Sequence, residues 1–223
     1  MAYVLGFLYA DGHLEDSAYI RGKYIHVINT DRDRIEIIRD LLGSEHAILE
    51  RDKGGNYKRA YLLRIGSHTL YNRLFEIGMT PRKSLTMRFP AVPQKYLNSF
   101  VRGYFDGDGC VFLEKYYGTD HSHATKRMRT IFTSGSRRFL WTLNDQLIKH
   151  AGIRKFYLHA HSKKGAYQLR YSTESSVKLF TFMYGLSASR GLYLRRKYDI
   201  FMQYFKERPA WVDVHVCRIL KRL

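Results

Sequence analysis

Cysteine, proline and long apolar runs are all scarce in this 223-residue sequence, and each shortage excludes a class of protein. The two cysteines, Cys110 and Cys217, are too few for a disulfide framework or a four-cysteine zinc site. No apolar run approaches the roughly 18 residues that a membrane-spanning helix needs. No secretion signal is visible, and there are only four prolines with no Pro/Gly/Ser-rich linker. We therefore expect a closely packed protein of a reduced intracellular compartment.

Acidic residues are outnumbered by basic ones almost two to one. The chain has 38 Lys and Arg against 20 Asp and Glu, a formal net charge of +18. Residues 101–223 carry 23 basic and 9 acidic side chains, whereas residues 1–100 carry 15 and 11. Such an excess causes self-repulsion and attracts polyanions, so nucleic acid is the favoured partner, ahead of an anionic membrane surface or a mere solubility effect.

An internal repeat organises the chain. The nine-residue segment VLGFLYADG at 4–12 is matched by VRGYFDGDG at 101–109, with glycine, a small residue and aspartate in the same places. Later segments, 77–85 and 184–192, are also similar to each other. Two copies of one unit predict a duplicated half-domain with pseudo-two-fold symmetry.

The hydrophobic pattern predicts an α+β fold in which each half has the order αββαββα. Strand-like stretches are rich in Tyr, Ile, Val, Thr and Arg, and amphipathic helices lie between them. We predict half-domains at 1–92 and 93–208 and a tail at 209–223, in which Val212, Val214 and Val216 alternate like an added edge strand. The predicted strands are 19–29, 56–66, 111–117, 126–133 and 167–173. The predicted later helices are 34–42, 68–77, 137–150, 175–184 and 192–206.

The repeated segment reads as a buried helix with one face of small residues. Gly6 and Ala10 are four apart, as are Gly103 and Gly107, so each pair stacks on one face. Two such faces allow helix backbones to approach closely, which would bring the helix ends together. Asp11 and Asp108 would then be neighbours, with Gly12 and Gly109 as left-handed helix terminators.

Paired carboxylates at helix C-termini break two local rules, since the helix dipole and mutual repulsion both disfavour them. A divalent cation resolves both conflicts. The carboxylates of Asp11 and Asp108 and the carbonyls of Ala10 and Gly107 are hard oxygen ligands that suit Mg²⁺. Such a site activates water and stabilises the leaving oxygen in phosphodiester hydrolysis. The alternative is that each Asp-Gly pair is only a turn.

Basic and polar side chains recur at every second position of the predicted strands, which sets them on one sheet face. Arginine suits guanine and glutamine suits adenine in the major groove, so this face is predicted to read DNA; a merely solvated strand face is the alternative. The residues concerned are Arg21, Lys23, Arg64, Lys115, Arg127, Arg129, Gln168 and Arg170.

Both nine-residue segments resemble the motif of the LAGLIDADG homing endonucleases, in their single-chain, two-motif form. The second copy is the closer match; the first departs at Tyr9, and Arg102 departs at a position expected to face outward. The resemblance implies two antiparallel sheets forming a saddle over DNA, with the motif helices at the central interface. It implies that Asp11 and Asp108 bind the shared and flanking Mg²⁺ ions, two or three in all. A monomer would then cut both strands of a long, asymmetric double-stranded target across the minor groove.

The resemblance also suggests basic residues around the metals. Lys83 matches the central lysine of the family, and repeat alignment pairs it with Arg190, with Lys197 as a rival; a simple phosphate contact is the alternative. Thr30 and Ser134 are candidates for a water network, although helix capping is favoured for both. Two other features, the His121/His123 and His159/His161 pairs in polar segments predicted to be loops, give only weak support for zinc.

Other functions remain open from the sequence. A non-cleaving relative would act as an intron-splicing maturase or a DNA-binding regulator on the same scaffold. A pure binder has no use for two crowded carboxylates, which favours the nuclease. A membrane-surface protein would need a strongly amphipathic basic helix, and none is evident.

Overall fold

The chain folds into two compact units, Met1–Gly107 and Asp108–Leu223. The structure is a computed structural model, and it describes residues 1–17, 22–52, 54–55, 58–81, 85–117, 124–154, 156–160, 165–185 and 191–221.

The first unit contains one antiparallel four-stranded sheet with strand order β1-β2-β4-β3. Helices pack on one face of this sheet, where Leu14, Ile25, Val27, Leu63 and Ile65 are at most 5% exposed. The elements in chain order are α1 (Ala2–Asp11), β1 (Gly12–Ser17), β2 (Gly22–Asn29), α2 (Arg32–Leu41), β3 (Ile48–Arg51), β4 (Ala60–Gly66), α3 (His68–Glu76) and α4 (Gln94–Asp108).

The second unit repeats this arrangement with strand order β5-β6-β8-β7. With α4 counted as its first helix, it confirms the predicted αββαββα order for both halves. The elements are β5 (Gly109–Tyr117), β6 (Ala124–Ser134), α5 (Arg137–Ala151), β7 (Tyr157–Ala160), β8 (Tyr167–Tyr171), α6 (Thr173–Tyr184), α7 (Arg195–Glu207), a 3-10 helix (Pro209–Trp211) and α8 (Val214–Leu220).

Capping residues explain where several helices begin and end. Ser67 Oγ accepts a hydrogen bond from the Leu70 amide at the start of α3, and Ser136 Oγ accepts one from Phe139 at the start of α5. Gly152 ends α5 in the left-handed conformation at φ 65°, which glycine adopts without a steric cost. These local signals agree with the helix ends predicted from the sequence.

Helix α4 belongs to the first compact unit although it begins the second repeat. The repeat assigns it to the second half, from residue 93 onward, but α4 packs along α1, and its last residue, Asp108, is where the second unit begins. Helices α1 and α4 thus form a pair within the first unit, and the end of this pair carries the candidate site.

Two local predictions are wrong. The tail forms α8 rather than an edge strand, because Asp213 Oδ1 accepts the amides of His215 and Val216 and starts a helix. Val216 and Ile219, three apart, then bury the same helix face. Gly12 and Gly109 are not left-handed terminators: Gly12 is extended at φ −82° and ψ 151°, and Gly109 begins β5.

Within the described parts of the chain, no helix has the length and apolar character needed to cross a bilayer.

Candidate functional site

The glycines of the repeated segment are the places where α1 and α4 touch. A Cβ on Gly6 would fall on the Phe100 carbonyl oxygen and lie 2.8 Å from the Tyr104 nitrogen. A Cβ on Gly103 would fall on the Tyr3 carbonyl oxygen and lie 3.0 Å from the Phe7 nitrogen. These are backbone atoms, which cannot move aside, so only glycine permits the observed helix spacing.

The C-terminal turns of the two helices also lie together. A Cβ on Gly107 would collide with Ala10 Cβ and lie 3.4 Å from both Cγ and Oδ2 of Asp11. The absence of that Cβ leaves room beside the carboxylate. Asp108 follows Gly107 directly at the end of α4 and is exposed, whereas Asp11 is half-buried.

Asn29, at the end of β2, holds the Asp11 carboxylate. Its Nδ2 donates to Asp11 Oδ2 at 2.6 Å, and its Oδ1 accepts from the Asp31 amide at 2.9 Å. The second contact fixes which end of the amide faces Asp11, because an amide oxygen accepts and an amide nitrogen donates. Asn29 is the residue that the sequence analysis missed, having chosen its exposed neighbour Thr30 instead.

Ser134 occupies the matching place at the end of β6. Its Oγ accepts from the Ser136 amide at 3.1 Å, the same turn that Asn29 makes with Asp31. Ser134 is thus used in a turn before α5, as the capping alternative predicted. A serine lacks the amide nitrogen that Asn29 extends to Asp11, so the two halves differ at this point.

Lys197, on α7 of the second unit, contacts the start of β5. Its side chain is 4% exposed, and Nζ donates to the carbonyl oxygen of Gly109 at 2.6 Å. An aromatic cluster anchors α7, since the Phe180 ring lies 5.2 Å from that of Phe201 and 4.9 Å from that of Phe205. The ammonium thus contacts the backbone one residue after Asp108 in the chain. The other proposed basic residues, Lys83 and Arg190, lie outside the described residues.

A buried polar contact crosses the helix pair. Tyr3 on α1 donates to Asp106 Oδ2 on α4 at 2.7 Å, and Asp106 is fully buried. Burial, reinforced by the Asp106 charge, raises the pKa of the Tyr3 hydroxyl well above its usual value. Arg102 is 1% exposed, with its guanidinium carbon 5.7 Å from the centre of the Tyr3 ring. The expectation that Arg102 faces outward is therefore wrong.

Each sheet has a helix-covered face and an opposite face, which we call the open face. Side chains of directly paired strand residues point to the same side of a sheet, so the register shows on which of the two faces each strand residue lies. Five of the predicted DNA-reading residues lie on the open faces: Arg64 in the first sheet, and Arg127, Arg129, Gln168 and Arg170 in the second.

Lys23 and Lys115 lie instead on the helix-covered faces, contrary to the prediction. Lys23 shares its side of β2 with buried Ile25 and Val27, and its Nζ donates to Asn72 Oδ1 of α3 at 3.0 Å. Lys115 pairs with Lys126, whose Nζ lies 2.6 Å from Glu207 Oε2 of α7. Lys23 is half-buried and Lys115 is exposed. Arg21 lies outside the described residues.

The open face of the first sheet carries a polar cluster centred on His26. Arg64 Nε donates to His26 Nε2 at 3.0 Å, and the Arg64 guanidinium lies 3.5 Å from the centre of the Tyr24 ring. Glu15 Oε2 is 2.7 Å from the same His26 nitrogen. That nitrogen accepts from Arg64 only when it carries no proton and donates to Glu15 only when it does, so the two contacts alternate. Burial lowers the pKa of His26, although Glu15 opposes the shift.

The open face of the second sheet is held by arginine contacts. Arg129 Nε donates to Glu114 Oε1 at 2.6 Å. Arg170 donates to Gln168 Oε1 from Nε at 3.1 Å and from Nη2 at 2.8 Å. The planar groups are thereby held in fixed orientations, which suits recognition of base edges.

The residues at the end of the helix pair fit a hard divalent cation. Asp11 offers a carboxylate that Asn29 orients, Gly107 leaves space beside it, and the last helix turns carry carbonyl oxygens at Ala10 and Gly107. Among the described residues, the end of the helix pair included, no group of three or more His, Cys, Asp or Glu side chains is arranged to hold a metal ion, so the fit rests on the Asp11 carboxylate and backbone carbonyls. His159 lies in strand β7 rather than in a loop, and His161, with which it was paired, lies outside the described residues. The other pair, His121 and His123, also lies outside them.

Comparison with solved structures finds the same fold in homing endonucleases. The LAGLIDADG homing endonuclease I-SmaMI bound to cleaved DNA aligns at a TM-score of 0.59 with 12% identity, over 99% of this chain and 94% of that one. The LAGLIDADG meganuclease I-AabMI bound to uncleaved DNA aligns at 0.58 with 14% identity, over 98% and 96%. Mesophilic variants of the homing endonuclease I-DmoI align at 0.55 with 16% identity, over 83% and 90%.

No protein-family model and no curated protein sequence matches the chain. At identities this low the agreement concerns architecture, and it covers both repeats. The chain has the two-repeat α+β fold of the LAGLIDADG homing endonucleases.

Proposed function

We propose that this protein is a site-specific homing endonuclease that hydrolyses both strands of a long double-stranded DNA target with divalent metal ions. The observation that carries the proposal is the end of the helix pair, where glycine contacts hold the last turn of α4 against the Asp11 carboxylate. A helix pair needed only for packing would not place a carboxylate at this end, where the dipole disfavours it.

Asp11 and Asp108 are the residues proposed to hold the metal ions, with Mg²⁺ the natural choice for carboxylate and carbonyl ligands. When bound, such ions supply Lewis-acid stabilisation and a water of lowered pKa. Asn29 acts as a positioning residue that keeps one oxygen of Asp11 in place. Lys197, with its ammonium on the Gly109 carbonyl, contributes a fixed positive charge beside Asp108 that suits a phosphate.

The open faces of the two sheets are the proposed DNA-reading surfaces. They carry arginines whose planar groups are oriented by Tyr24, His26, Glu114 and Gln168. Arginine reads guanine by paired hydrogen bonds in the major groove, which a sheet surface can enter. The neighbours I-AabMI and I-SmaMI were both solved bound to DNA, which supports this assignment.

The test is selection of cleaved sites from a randomised duplex library with Mg²⁺, followed by assay of Asp11→Asn and Asp108→Asn on the selected target. Each substitution removes a proposed metal ligand, so cleavage should fall more than about 100-fold, the upper range for losing a mere supporting contact. DNA binding should persist, because the open faces are unchanged.

Asp145→Asn, an exposed carboxylate on α5, is the matched control and should cut like the wild type. Normal cleavage by either motif variant would refute the metal assignment. Tight, specific binding by the wild type without any cleavage would instead identify a non-cleaving regulator or maturase.

A further inference from the structure

Three aliphatic side chains form a row across the open face of the first sheet. Ile28 on β2 pairs with Leu62 on β4, and Leu62 pairs with Leu49 on β3. Leu62, in the centre, is 1% exposed, whereas Ile28 and Leu49 on its flanks are 39% and 50% exposed. Solvent faces of antiparallel sheets are usually polar, so an exposed aliphatic row needs a reason.

The fold does not require aliphatic residues here, because the second sheet has a polar row in the same place. Thr133 pairs with Gln168, and Gln168 pairs with His159, in the same register as the aliphatic row. Gln168, in the centre, is also buried, at 9% exposure. Equivalent positions of the two sheets thus carry aliphatic side chains in the first repeat and polar side chains in the second. This difference indicates that the two rows contact different chemical groups.

Basic side chains flank the aliphatic row on the same face. Arg64 lies two residues along β4 from Leu62, and Arg51 lies two residues along β3 from Leu49. Two residues of strand span about 6.8 Å, close to the rise of two base pairs, and three strands span about 10 Å, within the roughly 12 Å width of the major groove. A polyanion held by the flanking arginines would lie directly over the aliphatic side chains.

We propose that Ile28 and Leu49, on either side of buried Leu62, read thymine by packing against C5-methyl groups in the major groove of one half of the target. The thymine methyl is the only apolar group that the major-groove edges of the bases present, so it is the complement of an aliphatic row between arginines. This inference rests on the proposed function, since it assumes that the open face binds duplex DNA.

The experiment replaces individual thymines of the selected target by deoxyuridine, which removes the methyl and leaves base pairing intact. Binding is measured with the metal chelated, so that cleavage does not interfere. We expect thymine enrichment at one or two adjacent positions of one half-site and about fourfold weaker binding for each methyl removed there, as for the loss of one buried methyl group.

The double variant Ile28→Ser with Leu49→Ser removes every methyl group at the two exposed positions and should bind the thymine and deoxyuridine duplexes equally there. His159→Ser, the counterpart of the Leu49 change in the other sheet, should retain the wild-type methyl preference.

Three outcomes overturn the proposal: equal binding to both duplexes at every position, no thymine enrichment, or a wild-type dimer in solution that the double variant abolishes. Failure of the wild type to bind or cut any duplex would instead overturn the proposed function.

Discussion

Asn29 shows how much of the candidate site depends on one side chain. Its amide joins two elements, because Oδ1 closes the turn into α2 and Nδ2 reaches back to the end of α1. The equivalent Ser134 keeps the turn contact alone. The first carboxylate is therefore held by an amide that has no equivalent at Ser134 in the other half.

Asn29→Ser is expected to weaken the metal response of the first site without disturbing the fold. Serine preserves the turn, as Ser134 does, but it removes the amide donor that contacts Asp11 Oδ2. Loss of a contact that orients a metal ligand costs about 10- to 100-fold in metal affinity or activity. Cleavage measured against Mg²⁺ concentration should shift by that amount.

The matched control is Thr30→Ala, because Thr30 is the exposed neighbour. It should leave the Mg²⁺ titration unchanged, and unfolding curves of both variants should overlay the wild type. An Asn29→Ser enzyme with a wild-type Mg²⁺ titration would show that Asp11 needs no orienting partner.

The sequence predicts a site residue where a local pattern marks it. Asp11 and Asp108 stand out because the motif is repeated, whereas Asn29 contacts Asp11 across 18 residues and no local signal marks that pairing. The alternation of basic residues alone does not say which face of the sheet Lys23 occupies. Lys23 lies two and four residues before Ile25 and Val27, which are buried, so its side chain starts from the helix-covered face.

At the scale of elements, the α1–α4 pair is the part most tightly constrained by sequence. Each helix presents a glycine to the other's backbone, and each glycine lies four residues before the next small residue of its helix, Ala10 or Gly107. A side-chain atom added at either glycine would collide with backbone atoms of the other helix. Rotation of a neighbouring side chain cannot relieve that collision.

Gly6→Ala should destabilise the protein by about 3 kcal/mol, the upper range for overpacking a core. Helix propensity alone would predict the opposite sign, since alanine is favoured over glycine by about 1 kcal/mol within a helix. Denaturant unfolding followed by circular dichroism measures the difference.

Gly66→Ala serves as the control, because a Cβ there would meet only the Tyr24 side chain, at 3.3 Å from Cε1. Its free energy of unfolding should change by less than about 0.5 kcal/mol, the usual range for surface substitutions. A Gly6→Ala protein at least as stable as the wild type would contradict the helix contact.

The elements that the sequence did not reveal are short or atypical. Strands β3 and β7 have four residues each, too few for a period-two pattern to stand out. Strand β1, with sequence GHLEDS, contains only one aliphatic residue, Leu14. In the tail, the alternation of Val212, Val214 and Val216 predicts a strand, but Asp213 supplies a helix cap and Ile219 continues the helical spacing.

At the scale of the whole molecule, charge is the dominant property. The net charge of +18 is concentrated in residues 101–223. The ion pairs Arg32–Glu36, Arg59–Glu50 and Arg73–Glu76 are exposed, and exposed pairs contribute little to stability. The excess charge is thus better explained by a polyanionic partner than by the fold.

Binding to the selected duplex should weaken steeply with salt. If about ten phosphates are neutralised, the slope of log K against log salt concentration should be near −9, because each contact releases condensed counterions. Fluorescence anisotropy between low and physiological salt, with the metal chelated, measures this slope. A nearly flat response would mean that the basic excess does not face DNA.

The mutual glycine contact of α1 and α4 bears on how such a chain could have arisen. In a protein with only one repeat, the glycine of the motif helix would leave helix backbone exposed, and the same chain would have no second motif helix to cover it. Pairing with an identical molecule about a two-fold axis covers the exposed backbone of both helices at once. Gene duplication followed by fusion would then turn an obligate association into a covalent one, after which each half was free to diverge, as the aliphatic and polar rows of the two sheets have done.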